Sequence, residues 1–410
     1  MRAAIITIGT ELTDGRIVDT NSAFIGAELE RRGIRVELAL TVPDEDAAIS
    51  KGVVYALGRE VRLLVLAGGL GPTADDITAP AVARALELET EVSPEAAAMV
   101  AAAVGSTASD LEPYQLKQAT LPAGARPIAP AGTAPGFILE HEGASILVLP
   151  GVPWELASMW EESLASPELA TVLEAARAPS RQVLCFYETG EPAVARAVES
   201  ILGNDRAGIE ISICSRYSET VLEAAFLPER EERVGELMKA LEDRFRDQVY
   251  SHGEKIEEVI GNRLKRGDLT LAAGESCTGG MLGATITGVS GASSFFLGGA
   301  IAYDNRVKRT FLKVRQQTLD SVGAVSEAVA QQMAIGAREA CGADYGIGIT
   351  GIAGPTGGTP EKPVGLVYIC VSSAGGDLVR AFNFPGGRDE IRHAAVTAAL
   401  HMLDYKLDSE

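Results

Sequence analysis

The sequence predicts an α/β fold class, with a parallel sheet in the first half, a small α+β unit in the middle and a further α/β unit at the end. Three observations predict it. Apolar runs of strand length alternate with amphipathic segments of helical length, an order that right-handed crossovers assemble into a parallel sheet. Glycine-rich loops follow the apolar runs in the first and last thirds. The length of 410 residues is enough for two or three domains.

The predicted elements of the first domain, residues 1–168, follow from hydrophobic periodicity. Continuous apolar runs predict buried strands, and apolar residues at helical spacing predict helices. Gly33 ends the first helix. The strands are predicted at 3–8, 34–40, 63–67 and 145–149, and the helices at 22–32 and 47–57.

The middle unit, residues 169–253, has a different order of predicted strands and helices. Strands are predicted at 181–187, 208–213 and 220–226, with helices at 192–202 and 229–245. This split β-α-β order resembles a KH-like arrangement but lacks the GxxG loop that clamps a nucleic-acid backbone. We therefore interpret it as a connector that acts as a spacer or supports dimerisation.

The third domain, residues 254–410, starts with an amphipathic segment at 255–265. Strands are predicted at 269–273, 298–303, 345–350 and 365–371, and helices at 279–288, 326–341 and 388–403. The apolar runs end in loops rich in glycine, serine and threonine. In open α/β sheets such loops are where ligands bind.

Composition excludes several classes of protein. A net charge of −20 argues against general binding to nucleic acid or to anionic membranes. Five scattered cysteines without a CxxC form neither a disulfide framework nor a zinc site, which fits a reducing cytosol. The apolar run at the N-terminus is too short for a signal peptide or a membrane span. We therefore expect a cytoplasmic protein.

The segment Ala-Gly-Glu-Ser-Cys-Thr-Gly-Gly at 273–280 connects a predicted strand to the predicted helix that follows it. Unpaired backbone N–H groups at a helix N-terminus favour a phosphate, or an oxyanion that forms on a nucleophile such as Ser276. The alternative is that Ser276 or Thr278 only caps the helix and the glycines make the turn. The segment alone does not decide between the two interpretations.

Two further segments place small polar groups and a basic residue next to apolar strands. One is 291–294, with Ser293 and Ser294, followed by 303–308, with Tyr303 and Lys308. The other is the glycine-rich loop at 350–358, followed by 362–365. With no histidine base nearby, activation of a serine would fall to a lysine, whose pKa drops when it is desolvated. Lys308 is the best candidate, with Tyr303 as a helper. The alternative is that Lys308 is a solvated helix residue.

Segments 273–280, 303–308, 323–326, 350–358 and 362–365 resemble the nicotinamide mononucleotide deamidase domain of the CinA (competence/damage-inducible) family. The resemblance implies a serine/lysine amidohydrolase that converts nicotinamide mononucleotide to nicotinic acid mononucleotide and ammonia without a cofactor. It implies Ser276 as nucleophile, Lys308 as general base and Tyr303 beside them. Cys277 stays a rival nucleophile because thiols are better ones. The predicted substrate contacts are Cys277, Thr278, Gly279, Ser293, Ser294, Thr350, Gly351 and Arg388.

Glycine-rich turns in the first domain are accompanied by acidic residues, at 9–15, 19–21 and 68–76. Such turns can cradle a phosphate while paired carboxylates hold a divalent cation. The alternative is that Asp75 and Asp76 only cap the following helix.

These segments, with 132–136 and 149–155, resemble the MoaB/MogA-like molybdopterin-binding fold that forms the N-terminal part of the CinA family. Some members hydrolyse ADP-ribose with a divalent metal. On this resemblance Asp75 and Asp76 are the first predicted metal ligands, followed by Glu11 and Asp14. The segments at 11–13 and 115–119 depart from the family pattern.

The expected partners are small nucleotides and, by family resemblance, a second copy of the chain in a homodimer. The acidity is confined to the first two units. Residues 1–254 hold 21 basic against 40 acidic side chains, whereas residues 255–410 hold 15 against 16. The third unit is thus nearly neutral and can receive an anionic mononucleotide. The alternative function is a scaffold protein in competence or DNA-damage responses, whose sites have lapsed.

Overall fold

The computed structural model describes residues 1–410. The chain divides into two compact units, Met1–Pro179 and Ser180–Glu410. Both units contain helices on sheets that include parallel strands, so the predicted α/β class is confirmed. None of the helices has the length and apolar character needed to cross a membrane.

The first unit is built from eight strands and eight helices. The strands are β1 (Arg2–Ile8), β2 (Arg35–Val42), β3 (Leu63–Ala67), β4 (Thr90–Val92), β5 (Thr120–Pro122), β6 (Arg126–Ile128), β7 (Gly136–His141) and β8 (Ala144–Leu149). The helices are α1 (Thr10–Thr13), α2 (Thr20–Arg31), α3 (Asp46–Leu57), α4 (Thr78–Ala85), α5 (Pro94–Val104), α6 (Pro113–Gln118), α7 (Pro153–Leu164) and α8 (Pro167–Ala175). A single 3₁₀ turn covers Ala108–Asp110.

A six-stranded sheet in the order β2-β1-β3-β8-β7-β6 forms the centre of this unit. The first four strands in that order are parallel, whereas β7 and β6 pair antiparallel and make the sheet mixed. Alternate residues of β1 pack into opposite layers: Ile6 joins one core and Ile5 the other. This period of two places helices on both faces. Leu169 and Val172 of α8 pack into this unit.

The second unit has nine strands and eight helices. The strands are β9 (Ser180–Tyr187), β10 (Ile209–Arg216), β11 (Glu219–Phe226), β12 (Val249–Ser251), β13 (Leu271–Glu275), β14 (Phe296–Ile301), β15 (Tyr345–Gly351), β16 (Leu366–Ser373) and β17 (Gly376–Asn383). The helices are α9 (Glu191–Leu202), α10 (Glu231–Arg244), α11 (Ile256–Gly267), α12 (Met281–Thr287), α13 (Asn305–Leu312), α14 (Gln316–Val322), α15 (Glu327–Cys341) and α16 (Arg388–Ser409). Short 3₁₀ turns cover Pro228–Arg230 and Ala292–Ser294.

The first part of this unit is a four-stranded antiparallel sheet in the order β10-β11-β9-β12. Helices α9 and α10 pack on one face through an apolar core that includes Phe186, Leu222 and Leu237. This part has the α+β arrangement that the sequence predicts for the middle of the chain, but it belongs to the same compact unit as the sheet that follows it, and that unit begins at Ser180 rather than at residue 169.

The second part is a five-stranded sheet in the order β14-β13-β15-β16-β17. Strands β14, β13 and β15 are parallel, and β16 and β17 are antiparallel to their neighbours. Leu271 and Ile347 pack towards α11 and α16, whereas Ala272 packs towards α15. The carboxyl ends of the three parallel strands therefore meet at one edge, which is where α/β sheets bind ligands.

Candidate active site

Ser276 lies at the carboxyl edge of the second unit, directly after β13. The register places it between two neighbouring strand ends: its N–H donates to the Ile349 carbonyl at 3.0 Å, and the Ala302 N–H donates to the Glu275 carbonyl at 2.6 Å. Residues that are 26 and 73 positions downstream, Ala302 and Ile349, are thus brought to Ser276 by sheet pairing alone. The site is built on three parallel strands that hold its backbone rigidly.

The Glu275 carboxylate occupies the N-terminus of α12. Its two oxygens accept hydrogen bonds from the N–H groups of Gly280, Leu282 and Gly283 at 2.9, 3.0 and 2.9 Å. The expectation that this helix end binds a phosphate or oxyanion is therefore wrong, because its amides already have an anionic partner.

The capping interpretation of the serine is also wrong. Gly280 is the N-cap residue of α12, and no side chain of the capping residue bonds to the helix. Neither Ser276 nor Thr278 caps it, since the buried Glu275 does. Sequence reasoning missed Glu275; the signal was an acidic residue embedded in an apolar strand just before a helix.

Gly279 and Gly280 make the turn that brings Glu275 over the helix. Both have left-handed backbone angles, with φ of 61° and 95°. A Cβ on Gly280 would lie 2.8 Å from the Cδ1 atom of Ile301. Only glycine adopts this conformation without strain, so the turn requires glycine at both positions. The turn therefore accounts for Gly279 without a contact to substrate.

The environment of Cys277 differs from that of a reactive thiol. The side chain packs within the hydrophobic core of this part of the unit. Burial raises the pKa of the Cys277 thiol to about 11, although Lys308 and the backbone amides of Cys277 and Thr278 lower it. A thiol with that pKa is protonated near neutral pH and is a poor nucleophile. This favours Ser276 over Cys277 as the nucleophile of the loop.

Lys308 is buried, with 1% of its surface exposed, so the interpretation as a solvated helix residue is wrong. Its ammonium group donates to the Tyr303 carbonyl at 2.9 Å. Burial lowers the pKa of Lys308, and interactions with Cys277 and Asp304 oppose this only in part. A desolvated lysine with a lowered pKa carries more of the free amine that a general base requires.

Tyr303 and Arg388 lie together at the rim of the site. Arg388 Nη2 donates to the Tyr303 hydroxyl at 3.3 Å, and its Nη1 donates to the Gly354 carbonyl at 2.8 Å. The phenol ring is exposed and Arg388 begins α16. The arginine thus joins the loop after β14 to the glycine-rich loop after β15, with its charge facing solvent.

Thr350 and Gly351 end β15 beside Ser276, as the sequence predicts for the carboxyl edge. The Thr350 hydroxyl donates to the Ala324 carbonyl at 2.8 Å. This ties the Gly-Ala-Val-Ser segment at 323–326 to the strand end. Lys362 adds to the same connection by donating to the carbonyls of Val322 and Val325, both at 2.7 Å.

Ser293 and Ser294 are not brought to this site. They lie in the 3₁₀ turn that precedes β14, and β14 runs parallel to β13 with Phe296 opposite Leu271. The two serines are thus at the amino edge of the sheet, opposite to Ser276. The sequence places the two serines next to an apolar strand, but they come before that strand, whereas Ser276 comes after its own strand.

The first unit has a cavity of about 370 Å³ beside the glycine-rich loop after β3. Its lining includes Gly69, Asp76, Lys117 and Gln118. Lys117 also donates to the carbonyl of Thr73 in that loop. The segment at 115–119 departs from the family pattern, yet it supplies a basic side chain to this cavity.

The four predicted metal ligands do not form one cluster. Asp75 and Asp76 both accept hydrogen bonds from the Thr73 hydroxyl, and Asp76 also from the Thr73 N–H at 2.8 Å. Asp14 instead pairs with Arg16 at 3.3 Å, and Glu11 lies on α1 beside Gly9. Residues 1–410 contain no group of three or more His, Cys, Asp or Glu side chains arranged to hold a metal ion.

A model of the CinA C-terminal domain matches residues 253–407, and a model of a probable molybdopterin binding domain matches residues 4–171. A CinA-like protein from Citrifermentans bemidjiense is 40% identical over 417 residues, covering 98% of this chain and 97% of that protein. A CinA-like protein from Thermotoga neapolitana is 38% identical over 406 residues, covering 98% and 97%.

Among solved structures, the competence/damage inducible protein CihA from Agrobacterium tumefaciens is 38% identical and covers 39% of this chain and 99% of its own, with a TM-score of 0.36. The matches to the two CinA-like proteins extend over nearly the whole of all three chains. The chain therefore belongs to the CinA family.

Proposed function

We propose that the second unit hydrolyses the amide of nicotinamide mononucleotide to give nicotinic acid mononucleotide and ammonia. The observation that carries the proposal is the placement of Ser276 at the carboxyl edge of parallel strands, together with the buried amine of Lys308 in the segment that follows the neighbouring strand β14. A serine and a desolvated lysine are a sufficient nucleophile and base for acyl transfer.

In this proposal Ser276 Oγ bonds to the amide carbonyl carbon while its proton passes to Lys308 Nζ. The tetrahedral oxyanion then expels the amide nitrogen, which takes that proton and leaves as ammonia. Water attacks the resulting Ser276 ester while Lys308 accepts a proton from it, and Lys308 passes that proton to Ser276 Oγ as the acid product departs. The backbone N–H groups of Cys277 and Thr278 donate to no backbone carbonyl and are the candidate donors to the oxyanion.

The charge distribution supports an anionic mononucleotide as substrate. The C-terminal 156 residues are nearly neutral, with 15 basic and 16 acidic side chains. The exposed guanidinium of Arg388 lies at the rim, where a 5′-phosphate could pair with it by a charge-assisted hydrogen bond. We therefore expect the phosphate to contribute binding energy.

The test is to incubate the purified full-length chain with nicotinamide mononucleotide and to measure ammonia and nicotinic acid mononucleotide. Nicotinamide riboside, which lacks the phosphate, serves as the matched control. We expect stoichiometric formation of both products from the mononucleotide and about a tenfold or greater loss of kcat/KM with the riboside. Absence of ammonia from the mononucleotide would contradict the proposal.

We also propose a second activity, metal-dependent cleavage of ADP-ribose in the first unit. The observation that favours it is the cavity lined by Gly69, Asp76 and Lys117. Asp75 and Asp76, joined through Thr73, fit Mg²⁺, which proteins hold by one or two carboxylates together with substrate phosphates. The metal would neutralise charge on the pyrophosphate when bound, while Lys117 would bind a phosphate directly.

Replacing Asp75 or Asp76 with asparagine should abolish Mg²⁺-dependent release of AMP from ADP-ribose. Asp110→Asn is the matched control, because Asp110 is exposed in the 3₁₀ turn and does not line the cavity. AMP formation is measured chromatographically with and without a chelator. Cleavage that survives in both variants or in excess chelator would contradict this assignment.

A further inference from the structure

Arg392 holds the loop that carries Ser276, although it is 116 residues away along the chain. Its Nη2 and Nε atoms donate to the Thr278 carbonyl at 2.8 and 3.3 Å. A guanidinium presents its N–H groups in a rigid plane, so two donors on one carbonyl fix the direction of that carbonyl as well as its position.

Besides Arg392, the polar contacts of this part of the loop are local: the Gly279 N–H donates to the Ser276 carbonyl at 3.1 Å, and the Met281 N–H donates to the Thr278 carbonyl at 3.3 Å. The Thr278 hydroxyl is fully buried and has no hydrogen-bond partner, and the N–H groups of Cys277 and Thr278 donate to no backbone carbonyl. The next two residues are Gly279 and Gly280, which have the largest conformational freedom of any residue type. The Thr278 carbonyl is therefore the group through which the distant helix α16 holds the loop between the serine and the two glycines.

Helix α16 does not need Arg392 for its own position. Near its C-terminal end, Asp404 pairs with Arg263 of α11 at 2.6 Å. His401 bonds to Glu219 of β11 at 2.8 Å and stacks on Tyr187 of β9 with 3.7 Å between ring centroids. One face of the helix is buried from Ile391 to Leu403. The other polar partner of the Arg392 side chain is the exposed Asp389, so the loop is its principal contact.

We propose that Arg392 is a positioning residue for the deamidase reaction: by holding the Thr278 carbonyl it keeps the amides of Cys277 and Thr278, and Ser276 beside them, in reactive geometry. This inference rests on the proposed deamidation. Misplacement of reacting groups by about 1 Å costs on the order of 10²-fold in rate, and such a loss falls on kcat more than on KM.

The test compares Arg392→Met and Arg392→Lys with the wild-type chain on nicotinamide mononucleotide. We expect kcat to fall about 10- to 100-fold in Arg392→Met with KM changed less than about threefold, a smaller loss in Arg392→Lys, and partial recovery of Arg392→Met by added guanidinium ion. Arg263→Met is the matched control, since it removes an arginine contact of α16 far from the loop. Its kcat should stay near that of the wild type.

A second readout needs no turnover. The buried Cys277 thiol should react faster with iodoacetamide in Arg392→Met than in the wild type or in Arg263→Met, as mapped by mass spectrometry of the peptide that contains it. If the wild type fails to deamidate nicotinamide mononucleotide, the proposed function is wrong. The alkylation rates still decide whether Arg392 holds the loop. Unchanged alkylation together with unchanged kcat would overturn the inference. So would equal losses of kcat in Arg392→Met and Arg263→Met.

Discussion

Replacement of Ser276 by alanine is expected to lower kcat for nicotinamide mononucleotide by about 10³-fold or more while leaving KM nearly unchanged. The reason is that the hydroxyl oxygen forms the covalent bond to the substrate, so its loss removes stabilisation of the transition state and little binding. The change removes a single oxygen atom from a small side chain, so the variant should keep its fold. The measurement is steady-state release of ammonia.

Cys277→Ala is the matched control for that experiment. The thiol is adjacent in sequence but is buried, and its pKa of about 11 keeps it protonated near neutral pH. We expect this variant to retain kcat within about tenfold of the wild type, the loss arising from a small cavity in the core. If Cys277→Ala were inactive and Ser276→Ala active, the roles of the two residues would be reversed.

Replacement of Lys308 by methionine is expected to lower kcat about 10²- to 10⁴-fold, the range for loss of a general acid–base group. Methionine fills similar space and suits the buried position of the side chain. A loss of rate without a loss of thermal stability would therefore report the missing amine. Lys313→Met is the control, because Lys313 ends the same helix but is exposed.

The pH dependence gives the same residue a second test. Burial lowers the pKa of Lys308, and the reactive form of a general base is the neutral amine. The rate in the wild type should thus rise with pH as this amine loses its proton, and the rise should begin below the usual range of lysine. That ascending limb should be absent from the kcat profile of Lys308→Met. A profile that is the same in both would point to another base.

The sequence predicted well what depends on local patterns. The buried strands, such as β3 at Leu63–Ala67, are continuous apolar runs, and their positions follow from periodicity alone. Strand β17 was missed because its residues are mostly exposed and it joins β16 through a two-residue turn. It is one of the antiparallel strands that make the sheets mixed rather than parallel.

The site could be predicted only in part, because some of its contacts span the chain. Ser276 and Tyr303 follow strands and Thr350 lies at the end of one. The ends of these strands meet by sheet pairing, which a strand prediction anticipates. Arg392 could not be found in this way, since its contact with Thr278 joins residues 114 apart and depends on where α16 packs. The deep burial of Lys308 likewise depends on how α13 packs. The hydrophobic pattern of the sequence did not indicate that a lysine of this helix would be buried.

The assignment of Ser276 as the nucleophile is tested most directly by identifying the residue that carries the acyl group during turnover. The wild-type chain is mixed rapidly with nicotinamide mononucleotide, quenched in acid, digested and analysed by mass spectrometry. We expect a nicotinic acid mononucleotide ester on Ser276 in the wild type and in Cys277→Ala, and none in Ser276→Ala. An adduct on Cys277, or one that persists in Ser276→Ala, would contradict the assignment.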